Sequence, residues 1–236
     1  MSYLIQARLR ADTAGSDGAL IKLMSETGAA PGKLHDLVWT LFGDTGARTR
    51  DFVFRVDHEA GRPSVMAYAP RRPHADAERL WRVEAKPFQP RLFPGDRLRF
   101  KLRVNPVKQH GGTRIDAVYD TFDKERTAAK AAGQQPPDRL EVARRVGTDW
   151  LDRRAERLGL RLAADTVQAE SYATERLVTG RGRPPFTLSI LDLTGEAEVV
   201  DPQAVATSLP AGIGKGRAYG CGMMLLARAP TGGAAA

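Results

Sequence analysis

Toward its C-terminus the chain reads GIGKGRAYGCGMM, Gly212 to Met224. Gly212, Gly214, Gly216, Gly220 and Gly222 are five glycines in eleven residues, with Lys215 and Arg217 between them. Glycine turns a chain tightly and lets a phosphate reach main-chain N–H groups. The spacing excludes a mononucleotide loop, because a Walker sequence needs Ser or Thr after its lysine and Lys215 precedes Gly216. G-x-G-x-x-G also fails, since its third glycine is missing when counted from Gly212 or Gly214. Two readings remain: a helix cap followed by bulge glycines, or a loop that a polyphosphate backbone approaches, with Lys215 and Arg217 supplying charge.

The remaining chemistry rests on histidines and arginines. His35, His58, His74 and His110 never pair at i,i+4, and there is no H-E-x-x-H. His74, Asp76 and Glu78 stand in a Pro- and Arg-rich connection that reads as solvated surface. A single cysteine, Cys221, excludes an intrachain disulfide and multi-thiolate metal sites, so neither metal nor cofactor is expected. His58 and His110 adjoin glycines in turns. His35 falls on the flank of an apolar helical stripe, one turn before Trp39. There it either packs at the surface or titrates near neutrality as an acid or base. Arg99, Lys101 and Arg103 line one side of a strand, either solvated or tracking phosphates, while Phe100 points the other way. A stacking platform is therefore not expected there, and binding is electrostatic and salt-sensitive. Arg144, Arg145 and Arg153 lie on an arginine-rich helix that also carries Arg139, Arg154 and Arg157. Arg181 and Arg183 sit in the loop GRGRPP.

The whole chain fits this emphasis on phosphate. Its 36 Lys+Arg against 28 Asp+Glu give a net charge of +8 over 236 residues. Such a field favours phosphate-rich partners, nucleic acid or an anionic membrane surface. No stretch approaches the length of a membrane span. The segment MSYLIQARLRAD meets an arginine too early for a signal peptide, so a cytoplasmic protein is expected.

The elements that must hold these residues follow from periodicity. Residues 3–10 alternate as a strand, and Leu34, Leu37, Val38, Leu41 and Phe42 recur at helical spacing over 33–43. Strands are predicted at 50–57 and 63–69, a short helix at 73–80, and a strand at 81–88. Residues 96–104 restart the pattern as an alternating strand. The polar segment 106–137 reads as a mobile loop. A helix follows over 139–159, with Leu140, Ala143, Val146, Trp150, Leu151, Ala155 and Leu158 as its inner stripe. Strands at 166–178 and 186–200, a short helix at DPQAVATSLPAG and a last strand near 219–228 complete the chain. The order β-α-β-β-α-β occurs twice. The expected fold is α+β, two tandem ferredoxin-like, RRM-like domains over 1–94 and 95–230, followed by a disordered tail over 231–236.

Taken in order, KLHDLVWTLFG, TRDFVFRVD, GDRLRFKLRVNPVK, the arginine helix and GIGKGRAYGCGMMLLA resemble the CasE-type CRISPR-associated endoribonucleases of the RAMP superfamily. These process precursor RNA within the type I-E Cascade complex, and the resemblance runs from Tyr3 to about Pro230. It implies two ferredoxin-like domains and metal-independent cleavage of CRISPR repeat hairpin RNA. In that chemistry the 2′-hydroxyl attacks the adjacent phosphate and leaves a 2′,3′-cyclic phosphate. It also implies a protein that is monomeric when free, keeps its crRNA product and joins other Cascade subunits. The family histidine falls on His35 as general acid or base. Lys108, Lys215 and Arg217 become phosphate contacts, and the basic helix and hairpin loop grip the stem. Family members often carry a tyrosine three residues before that histidine, where this chain has Gly32. The departure keeps open a repeat-RNA-binding structural subunit without cleavage, and a generic basic RNA-binding protein is a third reading.

Overall fold

The computed structural model describes residues 2–10, 37–43, 50–59, 62–177 and 184–229. The chain divides into two compact units. The first comprises Met1–Pro90, Glu175–Leu188 and Pro210–Met223; the second comprises Arg91–Thr174, Ser189–Leu209 and the chain from Met224.

In the first unit, strands β1 (Tyr3–Leu9), β2 (Val53–Glu59), β3 (Arg62–Ala69) and β4 (Trp81–Pro87) form one sheet in the order β2-β3-β1-β4. β1 runs antiparallel to both β3 and β4. That is the ferredoxin-like arrangement the alternation predicts. Ile5, Ala7 and Leu9 turn one face of β1 into the core, where Phe54, Val56, Val65 and Trp81 join them. The helical turn 37–39 and the residues after it add Leu37, Val38, Leu41 and Phe42. Phe42 stacks on Phe52 at 4.5 Å, and Trp39 meets Phe52 edge-on at 5.0 Å. A buried indole needs an acceptor; Trp81 Nε1 donates to Thr40 Oγ1 at 2.9 Å, and that hydroxyl donates to Leu37 O at 2.6 Å. The predicted helix over 73–80 is a 3-10 turn, Ala75–Arg79, capped by His74 Nδ1, which accepts from the Asp76 N–H.

β5 (Arg97–Val104), β8 (Leu160–Leu177), β9 (Phe186–Val199) and β10 (Met224–Arg228) form a second sheet in the order β10-β5-β9-β8, the same topology again; all of it but the last residues of β8 and the first of β9 belongs to the second unit. The alternation of β5 is as predicted: Leu98, Phe100, Leu102 and Val104 are buried. The last strand starts at Met224 rather than near 219, because Arg217–Tyr219 form a 3-10 turn.

The structure corrects the mobile loop expected over 106–137. β6 (Val107–His110) and β7 (Thr113–Asp116) pair through Gly111 and Gly112, both at positive φ, as a two-residue hairpin turn requires. Helix α1 (Ala117–Ala131) follows. The Asp116 carboxylate caps it by accepting from the N–H groups of Val118 and Tyr119 at 2.8 and 3.0 Å. Helices need no broad apolar face, and alanine, lysine and glutamate favour them. Helix α2 (Arg139–Ala155) is where the sequence places it, and Ala143, Trp150, Leu151 and Ala155 of the predicted stripe are buried, as is Leu158 in the 3-10 turn that follows. Val142 and Gly147 face inward as well, while Leu140 is 42% exposed and Val146 half-buried. A Cβ on Gly147 would lie 2.8 Å from both Leu191 and Leu193, so the helix meets β9 there on a residue without a side chain. Among the described residues no helix is long and apolar enough to cross a membrane.

Candidate functional site

The glycine-rich segment follows helix α3 (Pro202–Ala211). It was expected to belong with the C-terminal domain, yet Pro210–Met223 packs in the first unit. All five glycines, Gly212, Gly214, Gly216, Gly220 and Gly222, have positive φ. The loop closes on itself through Ile213 N–H to Gly222 O at 2.8 Å and Tyr219 N–H to Gly216 O at 2.8 Å. Ile213, Cys221 and Met223 anchor it in the core.

Two of the glycines leave room for protein atoms rather than for a ligand. A Cβ on Gly212 would lie 2.9 Å from Val53 Cγ2 and 3.0 Å from Arg217 Cδ, and one on Gly222 would lie 3.1 Å from Arg217 Cγ. The alkyl stem of Arg217 thus lies along both, and its Nη1 donates to Ala211 O at 2.6 Å, satisfying a carbonyl at the end of α3. Lys215 and Arg217 are both exposed residues. Phe186 and Tyr219 lie with ring centroids 5.5 Å apart, and Phe186 is 37% exposed.

Arg50, which the periodicity of 50–57 treats only as the start of a strand, belongs to this neighbourhood. Its Nε and Nη1 are buried with no hydrogen-bond partner. Burial, and then the like charge of Arg217, lower its guanidinium pKa from the ordinary value, although an arginine stays charged. The sequence carries no signal for it, because a lone arginine before a strand looks like any surface cation.

The cations of the second unit separate into two groups. Arg99 and Lys101 are exposed on β5, as expected. Arg103 is bound to Asp192 of β9, with Nη2 2.9 Å and Nε 3.1 Å from the carboxylate. The register sets Lys101 opposite Thr194 and Arg99 opposite Glu196, whose carboxylate also holds Arg97 at 2.8 Å. This face is a mixed-charge ladder rather than a row of cations. On α2, Arg144 pairs with Glu141 and Arg145 with Glu125, while Arg153 is exposed. Lys108 and Lys124 both bind Asp120, and their hydrogen bonds hold its carboxyl down at about 2. His35, Arg181 and Arg183 lie outside the described residues. Among the described residues, no cluster of three or more His, Cys, Asp or Glu could hold a metal ion.

The model of the family described as CRISPR associated protein matches residues 2–228. The chain belongs to that family. It is 31% identical over 151 residues to the CRISPR-associated endoribonuclease Cse3 of Thermus thermophilus, a match covering 60% of this chain and 61% of the relative. The chain thus aligns with less than two thirds of that curated relative's length. Among solved structures, it resembles Thermus thermophilus Cse3 bound to an RNA representing a pre-cleavage complex. That likeness has a TM-score of 0.66 and 25% identity, and covers 96% of this chain and 98% of the other. It also resembles the CRISPR-associated protein Cas6e from Escherichia coli, with a TM-score of 0.52, 20% identity and 96% and 100% coverage, a likeness of fold.

Proposed function

We propose that the chain is an endoribonuclease that cleaves CRISPR repeat hairpin RNA without a metal and stays on the crRNA as a Cascade subunit in the cytoplasm. The observation that carries this reading is the likeness to a Cse3 bound to a pre-cleavage RNA, which extends over 96% of the chain. The fold supports it, since two ferredoxin-like sheets repeat the same strand order. The chemistry needs one group to take the proton of the 2′-hydroxyl, one to protonate the departing 5′-oxygen, and cations to offset charge on the phosphorane. His35, in L-H-D-L-V-W, supplies the acid or base at the leaving oxygen. Lys215 and Arg217, both exposed on the glycine-rich loop, supply positive charge. Arg99, Lys101 and Arg153 are exposed cations for the RNA backbone, where shape and phosphate contact dominate.

The departure at Gly32 favours a second reading, a structural subunit that binds the repeat without cutting it. Both readings predict tight binding of one hairpin. They part in a cleavage assay on the host's own repeat RNA, with and without EDTA. The endoribonuclease reading expects cleavage unchanged by EDTA, a 2′,3′-cyclic phosphate product, and a loss of about 10²–10⁴-fold in His35→Ala. Binding with intact RNA establishes the structural subunit instead, and a His35→Ala variant that cuts at the wild-type rate removes His35 from the site.

A further inference from the structure

We infer that Arg50 and Arg217 together form a site for one phosphate group of bound RNA, Arg50 being a ligand absent from the basic strand, helix and loops. The inference deepens the proposed function and rests on it for the source of the phosphate.

Four observations converge. First, Arg50 Nε and Nη1 are buried and make no hydrogen bond. A buried donor left unmade costs free energy, and such a group calls for a partner. Second, the adjacent carboxylate, Asp51, is occupied by another guanidinium: Arg71 Nε and Nη2 reach it at 3.1 and 3.4 Å. Third, Arg217 stands close enough for its charge to disfavour that of Arg50. Fourth, Arg217 is held in place by Ala211 O and by the space over Gly212 and Gly222, and only one of its five N–H donors is spent on that carbonyl. Val53, three residues after Arg50, touches the same glycine, which brings the start of β2 and the loop together.

Two guanidinium groups whose charges oppose each other, one with buried unsatisfied donors, form an arrangement that a protein retains at a cost to its stability. An oxyanion removes the cost at once, because it accepts hydrogen bonds from both and cancels their repulsion. Phosphate suits this best, offering several oxygens to arginine donors. The loop therefore acts less as an open cradle of glycines than as a clamp for Arg217. The glycines position one arginine, the β2 edge positions the other, and a phosphodiester bridges them.

Two measurements test the site. In the first, inorganic phosphate is titrated into the full chain while the arginine Nε–Hε NMR signals are followed. The Arg50 and Arg217 signals, assigned from Arg50→Lys and Arg217→Lys, are expected to move together with one affinity, and Arg217→Gln is expected to abolish the Arg50 response. An Arg50 signal that stays still, or moves only along with those of Arg99 and Arg153, overturns the site. In the second, repeat hairpin RNA carries one neutral methylphosphonate at successive linkages. One linkage is expected to weaken wild-type binding by about tenfold and to have no further effect in Arg50→Met. If phosphate binds the pair and no linkage behaves this way, the ligand is a free phosphate and the RNA assignment is overturned. If the repeat RNA is not bound at all, the proposed function fails and the phosphate titration alone decides the site. Arg50→Met is expected to melt at or above the wild-type temperature, since it removes an unsatisfied buried charge. A lower melting temperature shows that Arg50 already has a structural partner, and refutes the site.

Discussion

Replacing Gly222 by alanine tests how tightly the glycine-rich loop is shut. Gly222 has φ +89°, and a Cβ there would lie 2.6 Å from Ile213 O, 3.1 Å from Arg217 Cγ and 3.2 Å from Ile213 N. Left-handed backbone costs an L-residue about 1–2 kcal/mol. The clash comes on top, and the neighbour has little freedom to yield. Ile213 N–H is bonded to the carbonyl of Gly222 at 2.8 Å, and the isoleucine side chain is only 2% exposed. Overpacking of this kind adds about 1–3 kcal/mol, so Gly222→Ala is expected to lose about 3 kcal/mol in all. The control is Gly95→Ala. Gly95 has nearly the same φ, +87°, but nothing lies within 4 Å of the added carbon. It should lose the strain alone, about 1–2 kcal/mol. Urea unfolding of both variants measures the difference, a midpoint gap of roughly 1 M at a slope of about 2 kcal/mol/M. Equal midpoints would refute the packing of Ile213 against Gly222, and with it the clamp that holds Arg217.

Two further expectations concern the framework. Thr40→Val keeps shape but removes the acceptor for the buried Trp81 N–H, and should lower stability by about 1–3 kcal/mol in chemical denaturation. Asp120 is held at about 2 against an ordinary 3.8 by Lys108 and Lys124. A depressed folded-state value means that its contribution is present above pH 4 and is lost as pH falls toward 2. Asp120→Asn should flatten the pH dependence of unfolding in that window, and an unchanged acid limb would show that other carboxylates govern it.

Much of the fold was legible because its strongest signals are periodic. β5 alternates without interruption, and β1 does nearly so; the two anchor the equivalent positions of both sheets. Helix α2 was legible in extent and in most of its inner stripe, but Gly147 was not, since it has no side chain for periodicity to register and yet packs against β9. The β6–β7–α1 insertion was missed because its signals are a cap at Asp116 and a network of ion pairs, which a hydrophobic pattern does not detect. Among the site residues, the exposure of Arg99, Lys101, Arg153, Lys215 and Arg217 followed from position along an element. The capture of Arg103 by Asp192 did not, because it depends on strand register across 89 positions of sequence. Arg50 escaped for the opposite reason: what distinguishes it is a partner it lacks, and that becomes visible only in three dimensions.

Cys221 gives the loop one more property. Its side chain is fully buried between Gly220 and Gly222, and its N–H is tied to Gly216 O at 3.3 Å. A thiol so enclosed meets a reagent in solution only when the surrounding backbone parts, so its labelling rate counts openings of this segment and of little else. With no other cysteine in the chain, the natural protein carries an unambiguous built-in timer beside its two arginines. Any ligand that bridges them should slow that timer by the same factor by which it holds the loop closed.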